Sequence, residues 1–163
     1  MVRLKNRYVL CAVRGGDSAL RALSPTAVYN TVSHALLVQH GMYGQARCLI
    51  GMTVSYVNMK TGVVIVRVRK DSLPLLSSAL PFVSDVGFPP NRVQCNLHTL
   101  HVGGSIRSCQ KFLIEHHRKT LQRQLAACVT NEERQRVREA ITSTCFPVDL
   151  DKDVDADLDM DAD

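Results

Sequence analysis

Residues 97–114 read Leu-His-Thr-Leu-His-Val-Gly-Gly-Ser-Ile-Arg-Ser-Cys-Gln-Lys-Phe-Leu-Ile. The stretch holds groups suited to binding an anion. Gly103 and Gly104 let a ligand come close, Ser105 is placed to cap a helix, and Arg107 and Lys111 stand one helical turn apart. A helix start also presents N–H groups with no intrahelical acceptor, which favours phosphate or carboxylate. The same residues describe a plain strand-to-helix corner in which Gly103 or Gly104 takes a positive φ. Both readings need a strand running directly into a helix. The flanks supply one: 97–102 are apolar and β-favouring, and Ile106 and Leu113 recur at helical spacing.

Other chemistry finds less support. Cys95, His98 and His101 have metal-ligating side chains, but on a regular strand 95 and 101 face one way and 98 the other. His116 and His117 are helix neighbours pointing about 100° apart. Residues 1–148 contain seven carboxylates, at Asp17, Asp71, Asp85, Glu115, Glu132, Glu133 and Glu139. All fall in predicted loops, caps or helix surfaces, which disfavours a two-metal centre. There is no Walker loop and no recognisable Ser-His-Asp context. The expectation is a protein with no catalytic residues and no metal ligands of its own.

The elements that must position the anion site follow from periodicity. Residues 3–13 form a strand whose Arg3, Lys5 and Arg7 share one side. Residues 14–23, with Gly15-Gly16-Asp17, form a loop. Ser24 caps a helix with Pro25 in its first position. Val28, Val32, Ala35 and Leu36 are its inner stripe, and His40-Gly41 ends it. Residues 47–57 alternate as a strand: Cys48, Ile50, Met52, Val54 and Tyr56 face one way, and Arg47, Gly51, Thr53 and Ser55 the other, with Leu49 as the exception. After a turn at 58–62, residues 63–70 complete a hairpin. Val64, Val66 and Val68 take its core side, leaving Ile65, Arg67 and Arg69 on the open face.

Asp71 or Ser72 then caps a helix striped by Leu73, Leu76, Leu80 and Val83. Gly87-Phe88-Pro89-Pro90 breaks the chain before a last strand at 93–102. A third helix spans about 105–128, and Thr130-Asn131-Glu132-Glu133 is a capping box for a fourth. This order predicts an α+β fold, a ferredoxin-like (RRM-like) βαββαβ sandwich with two extra C-terminal helices. The antiparallel sheet is expected to carry its helices on one face. Residues 1–148 are the predicted domain, and 149–163 an acidic tail expected to be disordered.

Composition sharpens the partner class. The chain of 163 residues has a net charge of +5, which hides an asymmetry. Residues 149–163 hold eight Asp and one Lys, whereas residues 1–148 hold 19 Lys and Arg against 7 Asp and Glu. A body that basic fits a polyanion. No apolar run reaches the roughly 18 residues a membrane span needs, and the first residues show no signal-peptide core. Six widely spread cysteines without a C-x-x-C pair suit free thiols in a reducing compartment. With Thr53, Ser55, Ile65, Arg67 and Arg69 on the open face and no aromatic, base stacking on the sheet is disfavoured, and phosphate contacts to structured RNA fit better. Arg107, Lys111 and Arg118 lie within about 40° of one another on an ideal helix, and Ile114 falls on the same side, so that face suits protein as well as RNA.

The stretch 97–114 resembles the signature of the fifth POP (processing of precursor RNAs) protein family of eukaryotic ribonuclease P and ribonuclease MRP. The opening Met-Val-Arg-Leu-Lys-Asn-Arg-Tyr, residues 62–70, and Ser78-Ala79-Leu80-Pro81-Phe82 carry the same resemblance, in the same order, from residue 1 to about 145. It implies a ferredoxin-like protein component of a ribonucleoprotein that removes 5′ leaders from precursor tRNA and, in its MRP form, cuts precursor ribosomal RNA. In such particles the RNA carries catalysis with Mg²⁺, and the protein stabilises the RNA fold and docks other subunits. The implied partners are the catalytic RNA, precursor tRNA through the complex, a TIM-barrel subunit and a second small ferredoxin-like subunit, with no membrane. The implied location is the nucleus and nucleolus.

On this reading Gly103, Gly104, Ser105, Arg107 and Lys111 hold RNA backbone, with Arg67 and Arg69 as further contacts, and Leu49, Ile65 and Ile114 meet protein partners. Two alternatives use the same fold: a small phosphate-handling hydrolase like an acylphosphatase, with Arg14-Gly15-Gly16-Asp17 after the first strand, and an interaction scaffold that touches no RNA.

Overall fold

The computed structural model describes residues 5–87 and 92–127. Contacts divide the chain into two compact units, Met1–Leu113 and Ile114–Asp163. The described elements are β1 (Asn6–Gly15), α1 (Asp17–Arg21), α2 (Pro25–Leu49), β2 (Thr53–Asn58), β3 (Val63–Arg69), α3 (Leu73–Ala79), β4 (Asp85–Val86), β5 (Val93–Gly103) and α4 (Ile106–Ala127). The strands form one sheet in the order β2-β3-β1-β5-β4, and every pairing is antiparallel. This is the ferredoxin-like arrangement expected from the sequence, with the five-residue α1 and the two-residue β4 added to it. The predicted loop at 14–23 therefore contains a helical turn. No helix among the described residues is long and apolar enough to cross a membrane.

Local chemistry explains the main elements. The Ser24 hydroxyl accepts a hydrogen bond from the Ala27 N–H at 3.1 Å, and Pro25 sits where a missing N–H costs nothing. On β1 and β3, Val9, Cys11, Val13, Val64, Val66 and Val68 point to one side of the sheet, where they bury against Val28, Val32 and Leu36 of α2 and Leu76 of α3. Leu10, Val63 and Ile65 point to the other side, where Cys109 of α4 buries against them and Phe112 and Leu113 pack alongside. Each such apolar side chain contributes about 1.5–3 kcal/mol on burial.

That second core corrects the picture of an open face with helices on one side only. Ile65 is 2% exposed. The first turns of α4 cover the centre of the sheet, because a β5 that ends directly in a helix folds it back over its neighbours.

Two further corrections arise where local irregularity overrides period. Gly41 (φ 66°, ψ −171°) does interrupt α2, but the chain re-enters helix and continues to Leu49. The predicted strand at 47–57 thus begins only at Thr53. Gly44 and Cys48, four residues apart, turn inward, and Leu49 packs half-buried against the main core rather than facing a partner. The ladders also contain bulges, between Val54 and Tyr56 on β2 and opposite Leu10 and Cys11 on β5. The first turns Tyr56 to the α4 side, opposite Ile65, so this face does carry aromatics: Tyr56 and Tyr8.

In the second unit, Lys119 Nζ pairs with Glu115 at 2.7 Å, and Thr120 Oγ1 donates to the His116 carbonyl at 2.9 Å. The side chains of Ile114 (65% exposed) and Arg118 are exposed. Arg3, the capping box at 130–133 and the acidic tail lie outside the described residues.

Candidate nucleic-acid interface

Close packing at Gly103 and a serine cap build the strand-to-helix corner. Neither of its glycines takes a positive φ; among the described residues, the glycines that do are Gly41, Gly51, Gly62 and Gly87. Gly103 is buried, and a Cβ there would meet Cys109 Sγ at 3.0 Å, the Ser105 carbonyl at 3.1 Å and Ser108 Cβ at 3.1 Å. Its glycine is needed so that the first turn of α4 can sit on the strand, not for backbone freedom. Gly104 is exposed, and the nearest atom to a Cβ there is Arg7 Nη1 at 3.8 Å. Ser105 caps the helix as predicted, its hydroxyl accepting from the Ser108 N–H at 3.3 Å. Arg107 and Lys111 are both exposed.

Strand register brings the other candidates to the same end of the sheet. Tyr8 pairs with Arg67 on one side and Gly103 on the other, which separates those two backbones by about 10 Å. Arg69 pairs with Asn6, and the Lys70 N–H donates to the Lys5 carbonyl at 2.8 Å. With its amide turned to satisfy both groups, the Asn6 side-chain oxygen accepts from Arg67 Nη2 at 2.8 Å and Nε at 3.2 Å. Arg69 lies along Gly51, where a Cβ would approach its Nε at 3.1 Å. Arg7 donates to the Asn6 carbonyl at 3.0 Å and stays beside Gly104.

Lys5, Arg7, Arg67, Arg69, Lys70, Arg107 and Lys111 therefore gather at one end of the sheet. Among the described residues the ion pairs are Arg92–Asp85 at 3.4 Å and Lys119–Glu115 at 2.7 Å, and neither uses any of these seven. Strand period alone puts Arg7 on the cationic side of β1 but not in the site. The signal that finds it is the pairing of β1 with the end of β5.

The site residues predicted from sequence thus divide. Gly104, Ser105, Arg107 and Lys111 lie together on the surface, Arg67 and Arg69 join them through the register, and Gly103 is a packing residue beneath them. Arg14, Gly15 and Gly16 lie at the opposite end of the β1–β5 ladder, with Gly15 opposite Cys95. The Gly16 position caps α1 without a side-chain hydrogen bond.

Other reactive groups are differently disposed. The β5 bulge puts His98 and His101 on one face, opposite Ala12 and Leu10, which corrects the regular-strand expectation; Cys95 faces the other way. The His101 ring stacks on Phe112 with centroids 4.6 Å apart, and its Nε2 lies 3.3 Å from Ser108 Oγ. No group of three or more His, Cys, Asp or Glu among the described residues is arranged to hold a metal ion. Burial pushes the Cys11 thiol up to about 12 and Cys95 up to about 11, so both stay protonated and unreactive at neutral pH. An end of a sheet that gathers seven cations, none of them ion-paired among the described residues, can bind a polyanion.

Residues 7–114 match the Rpp14/Pop5 family. A Bos taurus protein, ribonuclease P/MRP protein subunit POP5, is 41% identical over 147 residues, covering 90% of this chain and 86% of that protein. The Homo sapiens protein of that name is 40% identical over 147 residues, covering 90% of each chain. The Danio rerio protein of that name is 42% identical over 146 residues, covering 88% and 86% respectively. Among solved structures, a chain in the cryo-EM structure of yeast ribonuclease MRP aligns with a TM-score of 0.47 at 13% identity, covering 75% of this chain and 98% of that one.

Proposed function

The chain belongs to the Rpp14/Pop5 family, and from that premise we propose that it works as a protein subunit of the ribonuclease P and ribonuclease MRP ribonucleoproteins. It serves precursor tRNA 5′-leader removal and precursor rRNA cleavage as a non-catalytic subunit of an RNA-based enzyme. The observation that carries this reading is identity of about 40% with subunits of that name over 90% of the chain.

The physical task is phosphate binding. Each cation that neutralises an RNA phosphate releases a counterion, so affinity is steep in salt. Gly104, Ser105, Arg107 and Lys111 form the primary contact, with Arg67, Arg69 and Arg7 beside it, and Gly103 holds the helix start in place. In this reading Mg²⁺ belongs to the RNA. Partner subunits include a TIM-barrel protein and a second small ferredoxin-like protein, and the particle resides in the nucleus and nucleolus.

The test is to purify the tagged chain from its own cells, sequence the RNA that accompanies it, and assay the eluate on a precursor tRNA. A structured noncoding RNA, with Mg²⁺-dependent leader removal that nuclease pretreatment abolishes, is the expected result. A folded preparation with neither RNA nor cleavage would overturn the reading.

A further inference from the structure

Three aromatic rings pack against the second core: Tyr8 of β1, Tyr56 of β2 and Phe112 of α4. Two of them are engaged within the fold. Phe112 stacks on His101 with centroids 4.6 Å apart, and the Tyr56 hydroxyl accepts from Asn58 Nδ2 at 3.1 Å. Tyr8 differs. It is half-buried, so part of it meets solvent, and its hydroxyl has no protein partner among the described residues.

Register sets Tyr8 among the cations. Its ladder partners are Arg67 on one side and Gly103 on the other. Residues paired directly across strands share a face, with Cβ atoms about 5 Å apart. The Arg67 side chain therefore rises beside the Tyr8 ring, while Gly103 adds no side chain on the other flank. Arg67 is held in place, its Nη2 and Nε donating to the turned Asn6 amide oxygen at 2.8 and 3.2 Å. Asn6 and Arg69 form the next pair on the same face of that ladder. A cation fixed beside a partly open ring is ready for a ligand without further ordering.

We infer that Tyr8 is the stacking platform for one unpaired base of RNA, whose flanking phosphates lie on Arg67, Arg69 and the cations around them. A ring beside arginines matches the two parts of a nucleotide, a π-face for the base and positive charge for the phosphate. A base inside a duplex has both faces covered by its neighbours, so only an unpaired one can stack on the ring, and stacking accepts any of the four. An apolar protein side chain over the ring fits less well. It would leave unanswered the seven cations gathered there, none of which forms an ion pair among the described residues. The inference deepens the reading that this end of the sheet binds RNA phosphate, and rests on it. The cations supply affinity for RNA of any form, and Tyr8 adds a preference for RNA with an unpaired nucleotide.

The experiment uses the purified full chain with two probes, a single-stranded oligouridylate and a blunt RNA duplex of the same length, each titrated across a salt series. Tyr8→Leu is expected to lower oligouridylate affinity about tenfold, the size of one base–aromatic stack. Its salt slope and its duplex affinity are expected to match the parent, because no phosphate contact is lost. Tyr8→Phe keeps the ring and is expected to bind as the parent does. With 5-iodouridine in the oligonucleotide, irradiation of the parent is expected to place an adduct on Tyr8. Should Tyr8→Leu melt below the assay temperature, the adduct decides alone. Parent affinity for the single strand in a folded Tyr8→Leu chain, an equal loss on both probes, or adducts only at other residues would each overturn the inference while the phosphate reading stands. A parent chain that binds neither probe would overturn that reading and the inference with it.

Discussion

The corner at Gly103–Gly104 and the kink at Gly41 both need glycine, for opposite reasons. At Gly103 the backbone is ordinary and space is the constraint, since Cys109, Ser105 and Ser108 close over the missing side chain. At Gly41 space is open to 4 Å and beyond, and the constraint is the backbone, with φ at 66° and ψ at −171°. Their surroundings differ as sharply. The first lies among seven cations that form no ion pair among the described residues, the second among Val38, Met42 and Tyr43, with Arg47 on the Tyr43 hydroxyl as its nearest charge in sequence. One corner seats a helix on a strand amid exposed cations. The other bends a helix and leaves apolar side chains exposed beside it. Glycine in a sequence marks a constraint, and only its neighbours say which kind.

Substitutions can break or sharpen this contrast. Gly103→Val should have the largest effect, about 2–3 kcal/mol of lost stability from overpacking, read as a lower denaturant midpoint. A midpoint left in place would mean that α4 does not close over the strand. Gly41→Ala should cost about 1–2 kcal/mol, because the backbone there is nearly closed to other residues. RNA affinity should not change in that variant, and a parallel loss of RNA binding would tie the two corners together. Ser105→Ala removes the cap and should cost about 1 kcal/mol. Gly104→Ala should stay within about 0.5 kcal/mol of the parent, since its Cβ meets only Arg7 at van der Waals distance. A cost equal to that at Gly103 would erase the distinction between the paired glycines.

Much of this was legible in the sequence because it rests on local chemistry. The Ser24-Pro25 start, the alternating valines of β3 and the Ser105 cap each carry their own signal, and element order then fixed the ferredoxin-like class. What escaped was non-local. A glycine after His40 looks like a helix end, and nothing nearby announces that Gln45 will clasp Ser33 and let the helix resume. A bulge inserts one residue and reverses every later side chain, so Tyr56 and the His98–His101 pair were placed by a period that breaks within the strand. Ile65 looks open in sequence because the helix that covers it, α4, begins only at Ile106. The site was readable as a motif at 103–111 with Arg67 and Arg69 as further contacts, but Arg7 joined it only through strand register.

The central claim is that the Gly103–Gly104 end of the sheet holds RNA phosphate. Its most direct test is the dependence of RNA affinity on salt for the purified chain and for Arg107→Ala. Loss of one phosphate contact should weaken binding and reduce the slope of log affinity against log salt by about one unit. An Arg107→Ala protein with the parent affinity and the parent slope would place the RNA contact elsewhere and contradict the claim.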